Sequence, residues 1–349
     1  MELASIINQY YDAFIDKYEQ SLLPGHINAL NAIRRCRTPD SGELYVRCPE
    51  CALAQWRPLS CGHRNCPKCQ NYETSQWIDR QQAKLLPTHY FMLTFTLPYQ
   101  FRTLAWYHQK TIYSILFSCT ASTLRDFGLN PKNLGVEIGM SIVLHTHSRK
   151  LDYHPHGHAV IPGGGIDKRT RQWKKKKGKF LFSKKAIAKV FRARFLTAIT
   201  EAGFTIPEEV PKKWVVDCSY VGKGITALKY LSRYLYRGVI SEKNIVSNQD
   251  GQVTFKYTES RSAQRQFRTL KGEDFLFLIV QHVLPKGFRR IRDYGFLHSN
   301  AKKLLSLVQL VLRVVIDEII QRPRPTFKCP CCQSPMVIVA FRRPLWKSG

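Results

Sequence analysis

At 349 residues with 44% hydrophobic content, the chain can build two or three domains with real cores. Lys and Arg total 54 against 25 acids, and the resulting +29 exceeds what solubility needs. Such an excess calls for a polyanionic partner, with nucleic acid ahead of an acidic membrane surface. No apolar run of roughly 18 residues and no basic amphipathic anchor is visible, which argues against a membrane partner. The first segment, MELASIINQYYDAF, is not built like a signal peptide.

The expected location is therefore the cytoplasm, a reducing compartment in which eleven cysteines serve as metal ligands rather than disulfides. Residues 1–35 read as two helices, with Ile6, Ile7, Tyr10 and Phe14, then Ile27, Leu30 and Ile33, at helical spacing and Pro24-Gly25 as the break. From Cys36 to Cys69 the chain is turn-rich and poor in apolar mass, so metal must supply much of its stability. Cys48-Pro49-Glu50-Cys51 and Cys66-Pro67-Lys68-Cys69 are two CxxC knuckles 14 residues apart, expected to close one tetrahedral Zn²⁺ site. Cys36, Cys61 and His63, with His26, offer ligands for a second site; the two cysteines could equally be small buried residues. Cys119 and Cys218 lie in apolar segments and read as core, and Cys329-Pro330-Cys331-Cys332 is a knuckle without an evident partner pair.

Residues 72–86 read as a linking helix ended by Pro87. Residues 89–97, HYFMLTFTL, form a strand with Phe91, Leu93, Phe95 and Leu97 on one face. The pattern then predicts a long helix over 101–126, a strand over 140–144 running into His145-Thr146-His147, a helix over 184–202 and a strand over 214–216. Lys174, Lys175, Lys176 and Lys177, in WKKKKGKF, read as a phosphate-contacting loop.

Two stretches carry the chemistry. In YHPHGHAV, residues 153–160, His154, His156 and His158 recur at spacing two, so in a strand they share one face and offer a platform for a divalent cation. The glycines at 163–165 are expected to end that strand in a turn. An antiparallel neighbour would bring His145 or His147 close. Residues 227–238, ALKYLSRYLYRG, read as a helix ended by Gly238, with Tyr230 and Tyr234 on one face and Tyr236 off it. Lys229, Arg233 and Arg237 make a basic stripe beside the tyrosines. A tyrosine hydroxyl can attack a phosphodiester and conserve its energy as phosphotyrosine. A divalent ion can polarise the scissile phosphate, and arginines can hold the flanking ones.

Taken together, CRTPDSGELYVRCPEC, SCGHRNCPKC, FTLP, LHTHSRKLDYHPHGHAVIPGGG, YLSRYLYR and QHVLPKGFRRIRDYGF resemble the two-tyrosine HUH transposases of the insertion sequence 91 family, in the same order. The resemblance implies an α+β fold: an HUH endonuclease-like central antiparallel sheet flanked by helices, after an N-terminal zinc-binding module. The expected organisation is N-terminal helices at 1–35, the zinc module at 36–75, the nuclease domain at 76–240, a mixed strand and helix extension at 241–325 and a Cys-containing tail at 326–349. The resemblance also implies cleavage and rejoining of single-stranded transposon ends in the bacterial cytoplasm, at the nucleoid, through a 5′-phosphotyrosine and a free 3′-hydroxyl.

By the same resemblance, Tyr230 and Tyr234 are the nucleophiles, and His156 and His158, led by His154, hold Mg²⁺ or Mn²⁺, with His145 a better third ligand than His147. Gly157 stands where the family has a bulky hydrophobic residue. The histidines precede the tyrosines, as in plasmid rolling-circle replication initiators, which are the alternative within this chemistry. A non-catalytic zinc-ribbon nucleic-acid-binding protein is opposed by the intact HxH and YxxxY patterns. A histidine-metal hydrolase of small substrates leaves the +29 charge and the tyrosine helix unexplained.

Overall fold

The computed structural model describes residues 1–69, 79–176, 178, 180–224, 226, 239–259, 262–315 and 326–343. Helices α1 (Leu3–Tyr18) and α2 (Pro24–Arg34) open the chain, with Pro24 in the first turn of α2, where its missing N–H costs nothing. The hairpin β1 (Glu43–Arg47) and β2 (Ala54–Pro58) follows, then β3 (His89–Thr96). The helix expected over 101–126 is two helices, α3 (Arg102–Tyr107) and α4 (Gln109–Leu129). They part at His108, whose φ of −124° and ψ of 41° are not helical.

Next come β4 (Met140–His147) and β5 (Tyr153–Pro162), both longer than periodicity predicts at one end. The glycines after β5 do not simply end it. Gly164 and Gly165 begin β6 (Gly164–Asp167), which pairs with β7 (Gln172–Lys175). A Cβ on Gly164 would lie 2.6 Å from the Lys174 carbonyl oxygen, and one on Gly165 would lie 2.4 Å from that of Glu137. Close backbone approach is thus their use. Lys174 and Lys175 accordingly stand on a strand, with Lys176 just beyond it, whereas the sequence pattern predicts a loop; Lys177 lies outside the described residues.

Helix α5 (Lys184–Glu201), capped by Ser183, leads to β8 (Val216–Lys223), which starts two residues later than predicted. The three-stranded sheet β9 (Ile245–Gln249), β10 (Gln252–Thr258) and β11 (Arg265–Lys271) precedes α6 (Gly272–Val280), β12 (Ile291–Tyr294), α7 (Lys302–Val311) and β13 (Val337–Arg342).

The central sheet has the order β12-β4-β5-β3-β8 and every pairing is antiparallel. One face carries Phe91, Leu93, Phe95, Ile142, Ala159 and Ile161 into the main core. There α4 and α5 cover it; Phe95 meets Phe191 edge-on at 4.9 Å, and Phe101 meets Phe195 at 5.3 Å. Each such buried ring contributes about 1.5–3 kcal/mol from burial. The chain is therefore a mixed α+β protein with an antiparallel sheet backed by helices.

A second core joins the N-terminal helices to residues 240–283. Ile6, Ile7, Phe14 and Leu30 pack with Phe255, Phe275 and Ile279, so one interior crosses the boundaries expected at residues 35 and 241. Tyr10 donates to Asn248 Oδ1 at 2.7 Å and Tyr18 to Asp274 Oδ1 at 2.6 Å. The tail also returns: β13 pairs with β1, making the sheet β13-β1-β2. No helix among the described residues is long and apolar enough to cross a membrane.

Candidate functional site

On the face of the central sheet opposite the main core, β3, β4 and β5 bring three imidazoles together. His156 stands opposite His145 on β4 and Thr96 on β3; His158 stands opposite Val143 and Thr94. Ring nitrogens of His145, His156 and His158 lie within 4.8 Å of one another. Their ring centroids are 4.5 Å apart for His145 and His158, and 4.8 Å for His156 and His158. His154 shares the strand face but lies outside this group; its Nδ1 is 3.3 Å from an Arg102 guanidinium nitrogen. His147 lies beside His282 instead, the two rings tilted with centroids 5.0 Å apart.

The three rings fit a cation. Buried His145 Nε2 has no hydrogen-bond partner among the described residues, an orphan that a metal would satisfy. His156 Nδ1–H donates to the His154 carbonyl at 2.7 Å, which leaves Nε2 as the lone-pair atom. His158 Nδ1 is 3.0 Å from the Thr94 hydroxyl. Burial, with a smaller push from neighbouring positive charge, drives His156 down to about 3 and His158 to about 4, and holds His145 well below the usual range. All three rings are therefore neutral at physiological pH, the ligating form. Gly157 points into the core, where an added Cβ would meet Ile142 at an ordinary 3.8 Å. The missing bulk leaves the histidine face untouched.

Sequence reasoning missed two neighbours. Thr94, within FTLP, has a hydroxyl that only the strand register reveals as a histidine partner. Arg290 Nε donates to the Leu144 carbonyl at 3.1 Å, and its charge contributes to the lowering of His145, His147, His156 and His158. The segment QHVLPKGFRRIRDYGF contains Arg290, but nothing in its local pattern places it beside β4. Tyr230, Tyr234, Lys229, Arg233 and Arg237, with the whole predicted helix over 227–238, lie outside the described residues.

Eight of the eleven cysteines form two groups, and the predicted pairing of knuckles is corrected. Cys66 and Cys69 meet Cys36 and Cys61, whereas Cys48 and Cys51 meet Cys329 and Cys332. The reason is local. The Cys48 knuckle sits between β1 and β2 and faces the tail, while the Cys66 turn packs with Cys36 into the core of α1 and α2. His26 and His63 join neither group: His26 Nδ1 accepts the Leu23 N–H at 3.2 Å, and His63 Nδ1 accepts that of Asn65 at 3.2 Å.

In the first group, Cys36 Sγ is 3.4 Å and Cys61 Sγ 3.6 Å from Cys69 Sγ. These separations are too long for disulfides and close to the roughly 3.8 Å edge of a tetrahedron with Zn–S near 2.3 Å. Mutual hydrogen bonding lowers Cys69 and Cys36 and raises Cys61 and Cys66, since adjacent thiols cannot all ionise without a cation.

Residues 6–97 match the family model described as "Transposase zinc-binding domain", and residues 139–304 match that described as "Putative transposase". "Putative transposase y4qJ" of Sinorhizobium fredii is 33% identical over 86% of this chain and 81% of its own length. "Transposase for insertion sequence element IS801" of Pseudomonas savastanoi pv. phaseolicola is 28% identical over 78% of this chain and 70% of its own length. Cys36, Cys61, Cys66 and Cys69 fall within the first matched segment and all three clustered histidines within the second.

Proposed function

Because the chain belongs to the insertion sequence 91 family of rolling-circle transposases, we propose that it cleaves and rejoins single-stranded transposon ends by tyrosine transesterification. The observation that carries this reading is the convergence of His145, His156 and His158 on one face of an antiparallel sheet, as the HUH arrangement requires. The histidines would hold one Mg²⁺ or Mn²⁺; three neutral nitrogens suit Mn²⁺ better than the oxygen-seeking Mg²⁺. Such an ion, when bound, supplies Lewis-acid polarisation of the scissile phosphate.

The protein's residues do the rest. Tyr230 or Tyr234 attacks phosphorus in line as the P–O3′ bond breaks; the tyrosine proton passes to solvent, the leaving 3′-oxygen takes up a proton to become the free 3′-hydroxyl, and the 5′-phosphate stays esterified to the tyrosine. Arg233, Arg237 and Lys229 would hold flanking phosphates, with Arg290 contributing positive charge beside the histidines. Cys36, Cys61, Cys66 and Cys69 would carry the module's structural Zn²⁺. Two nucleophiles permit two successive transfers without ATP.

The test is a single-stranded end oligonucleotide incubated with protein and Mn²⁺, then resolved under denaturing conditions. Wild type is expected to give a covalent protein–DNA band, and Tyr230→Phe/Tyr234→Phe none. A band of equal strength from the double variant would remove these tyrosines from the chemistry.

A further inference from the structure

We propose that Cys48, Cys51, Cys329 and Cys332 bind a second structural zinc ion, which clasps the C-terminal tail onto the N-terminal module. Cys48 Sγ is 3.4 Å from Cys332 Sγ, and Cys51 Sγ is 3.5 Å from Cys329 Sγ and 3.8 Å from Cys332 Sγ. These separations match the thiolate edges of a tetrahedral zinc site, about 3.8 Å, and exclude disulfides. Cys331, the remaining tail cysteine, is exposed and outside the group.

The backbone makes the same argument independently. The two knuckles, 278 residues apart when counted from Cys51 to Cys329, share one conformation. The Cys48 N–H donates to the Leu53 carbonyl at 2.8 Å, and the Cys329 N–H donates to that of Ser334 at 2.9 Å. The Ala52 N–H returns to the Cys48 carbonyl at 3.1 Å, and the Gln333 N–H to that of Cys329 at 2.9 Å. Ala52 and Gln333, each just after the second ligand, both take left-handed backbone angles, with φ of 59° and 61°. A non-glycine residue holds that conformation only where its surroundings impose it. Two matching knuckles that face each other across the β1–β13 pairing form a complete thiolate cage.

Beyond the β1–β13 pairing and the contacts of Arg342 with Glu43 and Trp56, little apolar burial secures the tail among the described residues. All six residues of β13 are exposed, and the buried core beneath consists of Val46, Cys48, Cys329 and Met336. An ion with four bonds, two to each end of the chain, supplies what apolar burial does not. Four sulfur ligands select zinc over the oxygen-seeking ions of the medium.

The experiment is zinc counting on the full chain, and it does not depend on the nucleolytic reading. Elemental analysis should find two zinc ions per wild-type chain, one in Cys329→Ser/Cys332→Ser and two in Cys331→Ser. One zinc in wild type, or two retained in Cys329→Ser/Cys332→Ser, overturns the proposal. If that variant fails to fold, thiol alkylation of wild type decides. Cys331 should react at once, and Cys329 and Cys332 only after a chelator is added. Equal reaction of all three before chelation overturns the proposal.

Discussion

His145 and His156 stand directly opposite each other across the β4–β5 pairing, with ring centroids 5.3 Å apart. That pairing turns a row of histidines on one strand into a three-ligand group. His156→Ala removes one ligand without disturbing the apolar face beneath. If the ion provides several kcal/mol of transition-state stabilisation, cleavage should fall by about 100-fold or more while oligonucleotide binding stays nearly unchanged. Parallel cleavage and binding assays check this; an equal fall in both would make His156 a structural residue.

Cys66→Ser should release the zinc at Cys36, Cys61, Cys66 and Cys69 and loosen the core of α1 and α2, into which Cys36 and Cys66 pack. Elemental analysis should lose one zinc per chain, and the melting temperature should drop. An unchanged zinc content would place the ion elsewhere.

The packing of α1 against α6 can be tested at Gly272. A Cβ there would come within 2.3 Å of the Tyr10 ring, closer than real contacts allow. Gly272→Ala should therefore destabilise the protein by about 1–3 kcal/mol, as overpacking does. Denaturant unfolding measures it, and wild-type stability would mean that α1 and α6 do not pack this tightly.

His26 gives a pH dependence with a definite sign. Burial lowers it to about 4 from an ordinary value near 6.5, and its Nδ1 accepts the Leu23 N–H, which requires the neutral ring. Between those values the unfolded chain binds the proton and the folded chain does not, so stability falls as pH drops from about 6.5 to about 4. The loss from this residue should reach about 3 kcal/mol below that window. His26→Asn, which keeps an acceptor that does not titrate there, should show a shallower loss. Identical pH profiles for the two proteins would refute the assignment.

Lys174 and Lys175 are exposed on β7, with Lys174 3.5 Å from Asp167, and Lys176 just beyond the strand is half-buried. Replacing all four lysines at 174–177 with glutamine should reduce the log–log salt dependence of single-strand binding by roughly 0.7 for each phosphate that is no longer neutralised. A slope equal to that of wild type would leave the run as a solvated strand end.

Much of this molecule is legible in local pattern. Period-two spacing places His154, His156 and His158 on one strand face, because alternation is intrinsic to a strand. Amphipathic spacing finds Ile6, Phe14 and Leu30, but it tells which face is buried and not against what, so their packing with Phe255 and Phe275 stays hidden. The wrong pairing of knuckles has the same origin. Spacing favours joining neighbours such as Cys51 and Cys66, yet the cost of closing a loop grows only with the logarithm of its length, and Cys51 meets Cys329 instead. Thr94 and Arg290 act through register and packing, which leave no mark in the local sequence.

The most direct test of tyrosine transesterification is to digest the covalent adduct formed on a single-stranded end oligonucleotide and locate the nucleotide-bearing residue by mass spectrometry. The expected result is a 5′-phosphate linked to Tyr230 or Tyr234, absent when His156→Ala protein or a chelator is used, with Tyr236→Phe behaving as wild type. A nucleotide found on Tyr236, or cleavage at the wild-type rate with no protein–DNA link at all, would contradict it.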